Sequence, residues 1–240
     1  MSVKVKQWYV SFLENDKKNI LEVILNTLLY FLSLIYGLGV LIRNFSYDKG
    51  IFKVQATKAS VISIGNLSWS GTGKTSLSIW LYGKLTASFK TAILRRGYGD
   101  DEAKLIAQTT KDVFSSPNRA KLAKDLEKSF DVFILDDGFQ YRRLKRNLNI
   151  VVMGAREFRR RYGLIPVNFF REPMRSLRRA DILLLNYKEE IEDISKIKEL
   201  IFKVAGHLDI YTCSYRVRRF CDLEGGEISI ESLRQRPVAA

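Results

Sequence analysis

The stretch SVISIGNLSWSGTGKTSLSIWLYGKL, residues 60 to 85, constrains the fold more than any other part of the chain. An apolar run leads into a turn of glycine and serine, and the turn leads into a segment with Leu77, Leu81 and Leu85 at helical spacing. Strand, small-residue turn and helix in this order form a loop whose backbone N–H groups can surround phosphates, with a helix N-terminus facing them. Gly71, Gly73, Lys74 and Thr75 supply what such a loop needs. The glycines let the backbone approach, the ammonium meets the β- and γ-phosphate oxygens, and the hydroxyl serves Mg2+. Ser68 stands where the pattern GxxxxGK[ST] has its first glycine.

The rest of the chain alternates short apolar runs with helical or irregular segments. TAILRRG, FDVFILDDG, LNIVVMGA, ADILLLN and IYTCSYR are the further strand candidates. Their near-continuous apolar character points to parallel strands covered on both faces. KLIAQTTKDVF, PNRAKLAKDLEKSF and KEEIEDISKIKELIFKVAG fit helices. The expected fold is therefore α/β: a mostly parallel sheet of the P-loop NTPase type with flanking helices, plus an N-terminal membrane-associated hydrophobic helix. A division into an N-terminal helical segment, 1–52, and a P-loop core, 53–240, follows.

Two acidic stretches stand out. DVFILDDGFQ is an apolar strand ending in Asp136 and Asp137. Ligands of such sheets bind at the carboxyl ends of the strands, so these carboxylates and Thr75 can converge on one hydrated Mg2+. RRGYGDDEAKLIA places Asp100, Asp101 and Glu102 after a glycine-rich turn, where a carboxylate could take the proton of an acceptor hydroxyl. ATP is favoured over GTP, because LLLNYKEE lacks the spacing of a guanine-reading NKxD motif.

The segment Ile20 to Ile42 is long enough to cross a bilayer and carries one charge, Glu22. On a helix, Glu22, Asn26, Tyr30, Ser33 and Gly37 form one narrow polar or small stripe. A full crossing would put Lys4, Lys6, Lys17 and Lys18 on the outer side, against the positive-inside tendency. A helix dipping into the cytoplasmic leaflet is favoured. The net charge of +14 suits an anionic partner, and the hydrophobic content of 46% is ample for a core, which argues against disorder. Arg156, Arg159, Arg160, Arg161, Arg171, Arg175, Arg178 and Arg179 form a basic stretch interleaved with aromatics. Nucleic acid is the rival reading of that stretch; beside a membrane-seeking helix, an anionic membrane surface or lipid headgroup is the better partner. Cys213 and Cys221 lack a CxxC pattern and imply neither zinc nor a disulfide framework.

The segments LSLIYGLGVLIRN, VISIGNLSWSGTGKTS, LRRGYG, DDEAKLIA, ILDDGFQYRRLKRNLNIVV and GLIPVNFFREPMRSLRRADILLLN, in that order, resemble the tetraacyldisaccharide 4'-kinase family, the lipid A kinases of Gram-negative bacteria. The family's loop reads approximately GNxTxGGTGKT, so Ser68 is normal for it and Ser70 is the departure. The resemblance implies transfer of the ATP γ-phosphate to the 4'-hydroxyl of a lipid-linked disaccharide 1-phosphate in lipid A biosynthesis. The expected place is the cytoplasmic face of the inner membrane, with peripheral or monotopic attachment and a monomeric enzyme that takes no nucleic acid. The alternative is a membrane-associated P-loop nucleotide-binding protein that has lost kinase activity.

By position, the resemblance implies that Asp101 activates the acceptor hydroxyl, with Asp100 as its competitor, and that Lys74 is catalytic. Ser70, Gly71, Thr72, Gly73, Lys74, Thr75 and Ser76 would hold ATP; Thr75, Glu102, Asp136 and Asp137 would serve Mg2+. Asn66, Arg96, Gln140 and Arg171 would lie toward the acceptor. Tyr141 stands where the family continues with His, and the chain ends where the family goes on into a further lobe with a His-containing segment. His207, the one histidine, is expected at the surface or in a cap.

Overall fold

A computed structural model describes residues 19–69, 71–97, 106, 110–159, 163–187, 194–214, 220–221 and 226–229. Helix α1 (Ile20–Asp48) comes first. Asn19 caps it: its Oδ1 accepts from the Glu22 N–H at 2.8 Å, while Glu22 Oε2 accepts the Asn19 N–H at 3.0 Å. The lone charge of the apolar segment is thus the reciprocal half of a capping box, where an acidic side chain also favours the helix dipole.

The sheet contains β1 (Ser60–Gly65), β2 (Thr91–Arg95), β3 (Val113–Ser115), β4 (Val132–Asp136), β5 (Leu148–Gly154), β6 (Ile182–Asn186) and β7 (Asp209–Cys213), in the spatial order β3-β2-β4-β1-β5-β6-β7. Every pairing in it is parallel. β8 (Phe220–Cys221) and β9 (Glu227–Ile228) form a separate antiparallel pair. The register aligns Ile64 with Asp136 and Gly65 with Val151. The glycine-rich turn after β1 and the acidic pair ending β4 therefore leave the sheet at the same edge, beside the point where the chain switches from one side of β1 to the other. That is where open α/β sheets bind ligands.

Burial follows the patterns of the runs. All residues of β4 are buried, with Phe133 and Leu135 in one cluster and Ile134 in another. Helix α2 (Lys74–Leu85) covers the Ile134 face and packs Leu77, Leu81 and Leu85 there. Helix α3 (Arg119–Leu126) buries Ala120 and Ala123 against the Phe133 face. Helix α4 (Ile194–Val204) buries Ile197 and Ile201 against β5 and β6 residues. Burying each such large apolar side chain contributes on the order of 1.5–3 kcal/mol.

One expected helix is partly a strand. The C-terminal end of KLIAQTTKDVF, at Val113 and Phe114, belongs to β3, whereas most of its earlier residues lie outside the described set. β2 would otherwise leave its edge unpaired; Val113 and Phe114 pair with Ile93 and Leu94 and close it. The six N-terminal residues of the expected last helix, 188–193, also lie outside the described residues. His207 is exposed in the turn between α4 and β7, as expected.

The turn after β4 folds back onto β1 at very short range. Gly138 N–H donates to Ile64 O at 2.9 Å, and a Cβ on Gly65 would lie 2.5 Å from Phe139 N. Backbone cannot yield as a side-chain tip can, so Gly65→Ala is expected to cost at least the ~1–3 kcal/mol of overpacking. A lowered midpoint in urea at unchanged slope would register it.

Candidate active site

The phosphate-loop reading acquires its geometry at the start of α2. Gly73 precedes the helix with φ of 89°, a left-handed conformation that suits glycine. Ser78, one turn into α2, donates from Oγ to Asp136 Oδ1 at 2.9 Å and thereby pins the helix to the end of β4. Asp136 is 5% exposed, so this carboxylate is turned into the fold. Asp137 turns the other way. It holds φ of 47°, a region that Asp and Asn tolerate better than most residues, and its side chain is 37% exposed. Lys74 Nζ lies 3.9 Å from Asp137 Oδ1, and Arg171 NH1 donates to both Asp137 oxygens at 3.1 and 3.0 Å.

The remaining loop residues are ordered from behind. Asn66 was expected toward the acceptor, yet it is fully buried, and its Nδ2 donates to Thr72 Oγ1 at 3.3 Å. Gln140 Nε2 donates to Asn66 O at 2.8 Å, and Asn186 Nδ2 donates to Thr72 O at 3.3 Å. Gly71 and Ser76 are exposed, and Thr75 is half-buried at the helix start. Ser70, Asp100, Asp101 and Glu102 lie outside the described residues.

A second tie runs between the stretch after β1 and the stretch that carries Arg171. Arg171 N–H donates to Leu67 O at 2.6 Å and Trp69 N–H donates to Phe169 O at 2.8 Å. Ser68 Oγ donates to buried Glu157 at 2.7 Å. These bonds bring together a cleft of about 780 Å³. Arg96, Asp137, Gln140 and Arg171 line it, and Tyr36, Arg43, Trp69, Pro117, Arg119, Tyr141, Ile165 and Pro166 complete it.

Sequence reasoning missed that second group, and for most of it no local signal exists. Arg119 opens α3, its guanidinium bonding Asp136 O at 2.7 Å and lying 4.3 Å from the ring centroid of Tyr141. Tyr141 Oη in turn accepts from Ala120 N–H at 3.0 Å. The residue that departs from the resembled family's His thus braces α3 beside the cleft.

Helix α1 reaches the same cleft. Tyr36 Oη donates to Arg171 O at 2.8 Å, Arg43 donates to Gln140 O, and Asn44 Nδ2 donates to buried Glu172 at 2.8 Å. Arg142 answers from the core, bonding Asn44 O and Asp48. Ser33, Gly37, Val40 and Asn44 are buried along one side of α1, and Ser46 is buried on another side near its end, so the small and polar stripe meets protein over the second half of the helix. Diametrically opposite, Ile24, Leu28, Phe31, Ile35, Leu38, Ile42 and Phe45 are all more than half exposed. This helix is long and apolar enough to cross a membrane by length and composition, and that exposed stripe is a hint of membrane association.

The docking can be tested with two glycines two residues apart. A Cβ on Gly37 would lie 3.0 Å from Leu164 Cδ1, whereas one on Gly39 would meet nothing within 4 Å. Gly37→Leu is expected to loosen α1 at about 1–3 kcal/mol, lowering Tm by roughly 2–4 °C per kcal/mol. Gly39→Leu, measured by the same thermal scan in detergent, should leave Tm unchanged or raise it slightly, because an unhindered helical Gly→Leu change improves helix propensity.

Electrostatically the cleft is an anion receptor. Arg43, Arg96, Arg119 and Arg171 line it against the carboxylate of Asp137. Burial pulls the Arg119 guanidinium below its ordinary pKa while Asp137 pulls it back up. Burial, then the charge of Glu172, raises the Tyr36 phenol, which keeps it a hydrogen-bond donor to Arg171 O. Among the described residues no cluster of three or more His, Cys, Asp or Glu could hold a metal by itself. Mg2+ asks for less: it keeps waters and takes one or two protein oxygens plus substrate phosphates. The Thr75 hydroxyl and the cleft-facing Asp137 carboxylate are a donor set of that kind.

Residues 25–101 and 100–235 match the family model for tetraacyldisaccharide-1-P 4'-kinase. The tetraacyldisaccharide 4'-kinase of Halothermothrix orenii is 27% identical over 99% of this chain and 70% of its own length. That of Bdellovibrio bacteriovorus is 31% identical over 82% of this chain and 65% of its own. The Aquifex aeolicus enzyme is 38% identical over 65% of this chain and 57% of its own. The chain therefore spans between about half and seven-tenths of the curated relatives it matches. Among solved structures, LpxK from Aquifex aeolicus in complex with ATP superposes with a TM-score of 0.65 at 31% identity, covering 89% of this chain and 72% of that one.

Proposed function

The chain belongs to the tetraacyldisaccharide-1-P 4'-kinase family, and from that premise we propose that it transfers the γ-phosphate of ATP to the 4'-hydroxyl of a tetraacyldisaccharide 1-phosphate, a step of lipid A biosynthesis. The observation that carries the reading is the convergence of Lys74 and Arg171 on Asp137, which together with Arg171 lines an arginine-rich cleft at the end of β1 and β4.

Phosphoryl transfer asks a protein mainly for positioning and for positive charge where negative charge collects. Lys74 and the backbone N–H groups from Gly71 to Thr75 hold the β- and γ-phosphates. Thr75 and Asp137 would hold Mg2+, which would supply charge neutralisation at the phosphates, and Glu102 is a further candidate ligand. Arg171 orients the acceptor's phosphate, with Arg96 and Gln140 beside it in the cleft wall. Asp101, or its neighbour Asp100, takes the proton of the attacking hydroxyl. Asp136 acts through Ser78 and α2.

The protein works as a monomer on the cytoplasmic face of the inner membrane. Support for that placement is the largely apolar outer stripe of α1, which can lie in the leaflet while the opposite stripe stays docked. The test is transfer of label from γ-labelled ATP to the tetraacyl disaccharide 1-phosphate in detergent micelles. Labelled lipid supports the proposal. ATP binding that depends on Lys74, without labelled lipid at any acceptor concentration, would leave a nucleotide-binding protein and reject the kinase.

A further inference from the structure

We propose that Trp69 is the platform on which a sugar ring of the acceptor stacks. The inference rests on reading the cleft as the site of a kinase for a lipid-linked disaccharide, and it names the residue that grips the carbohydrate.

Trp69 is 43% exposed, although tryptophans are on average highly buried. Its backbone is nevertheless fixed. The N–H is bonded to Phe169 O, the preceding Ser68 is buried and bonded to Glu157, and Ser68 bridges antiparallel to Phe170. A large aromatic held out on a hydrogen-bonded backbone does little for the core, and a backbone already held in place lowers the entropy cost of binding a ligand there. Trp69 and Arg171 sit on the same two-rung backbone tie, which places the indole and the guanidinium in one cleft.

The cleft is chemically divided. Arg96, Arg119 and Arg171 meet anions around Asp137, while Trp69 with Tyr36, Ile165 and Pro166 supplies apolar wall. A phosphorylated disaccharide needs both surfaces. Its phosphate takes the guanidinium, and the C–H face of a pyranose, edged with slightly positive hydrogens, packs on the negative face of an aromatic ring. Tyr36 and Arg43 bring this part of the cleft up against α1, whose outer stripe is apolar. A ligand whose acyl chains lie along that helix presents its sugars beside Trp69.

The sequence contains three tryptophans, at 8, 69 and 80. In the full chain with Trp8→Phe and Trp80→Phe, Trp69 is the one remaining indole, and tetraacyl disaccharide 1-phosphate in micelles is expected to change its emission saturably. Micelles alone, or micelles containing diacyl phosphatidate, should not. An equal change with either would make Trp69 a membrane-interface residue, and an equal change with ATP alone would make it a nucleobase platform; both overturn the proposal. In kinetics, Trp69→Ala is expected to raise the acceptor KM about tenfold or more, with the ATP KM unchanged and Trp69→Tyr recovering most of the loss. An unchanged acceptor KM overturns it. Should the parent chain bind ATP and transfer nothing, the kinase reading fails, and the emission titration still decides: an acceptor-specific change supports the platform and none rejects it.

Discussion

Lys74→Ala is expected to reduce phosphoryl transfer about 10²–10³-fold, the loss measured when one electrostatic contact to a developing negative charge is removed. The fold should hardly notice. Lys74 Nζ stands 3.9 Å from Asp137 Oδ1 in a partly exposed pair, and such pairs contribute about 0–1 kcal/mol. Removing the ammonium does not leave Asp137 alone, because Arg171 still binds both of its oxygens. A catalytic term of roughly 2.7–4 kcal/mol against a stability term several times smaller predicts a well-folded, inactive protein. Single-turnover transfer and a thermal scan on the same preparation check this. A variant that retains more than about a tenth of the activity would exclude Lys74 from the transition-state contacts.

The second large effect separates the two adjacent carboxylates. Asp137→Asn is expected to cut transfer by about 10²-fold or more at low Mg2+ and to raise the Mg2+ needed for half-maximal rate, since an amide is a far weaker ligand of a hard cation than a carboxylate. Asn is the informative replacement because it tolerates the positive φ that Asp137 holds. Asp136→Ala acts elsewhere. It removes the tie from buried Ser78 to β4 while Lys74 O remains as an acceptor for the Ser78 hydroxyl, and should cost about 0.5–1.5 kcal/mol of stability. Its effect on transfer should follow the loosening of α2 and shrink when the assay is run colder. A Mg2+ requirement that moves in the Asp136 variant and stays put in Asp137→Asn would exchange the two roles.

Much of the core was legible because each signal was local. β1, β4, β5 and β6 are short apolar runs buried in a parallel sheet, and such runs read as strands without any tertiary information. Thr75 and the pair Asp136 and Asp137 could be brought together in advance, because a phosphate loop and an acidic strand end belong to one edge of such a sheet. β3 was not legible: Val113 and Phe114 end a segment with helical periodicity, and what makes them a strand is the open edge of β2. The arginine stretch also divided in a way that charge could not foretell. Arg171 pairs with Asp137, Arg179 with buried Glu172, and Arg178 with Val204 O, while Arg156 and Arg175 are exposed. The polar stripe of α1 was visible at 33 and 37, but which surface it would meet was not.

The sequence by itself determined the parallel α/β core, the phosphate loop and the identity of the acidic strand end, because strand hydrophobicity, glycine turns and helix periodicity act over a few residues. Only the tertiary structure decided that Asp136 turns inward while Asp137 faces the cleft, that Asn66 lies behind the loop, and that Tyr36, Arg43, Trp69 and Arg119 share one cavity. Those outcomes depend on hydrogen bonds and packing between segments up to 135 residues apart, such as Tyr36 with Arg171. No window of sequence contains both partners of such a bond.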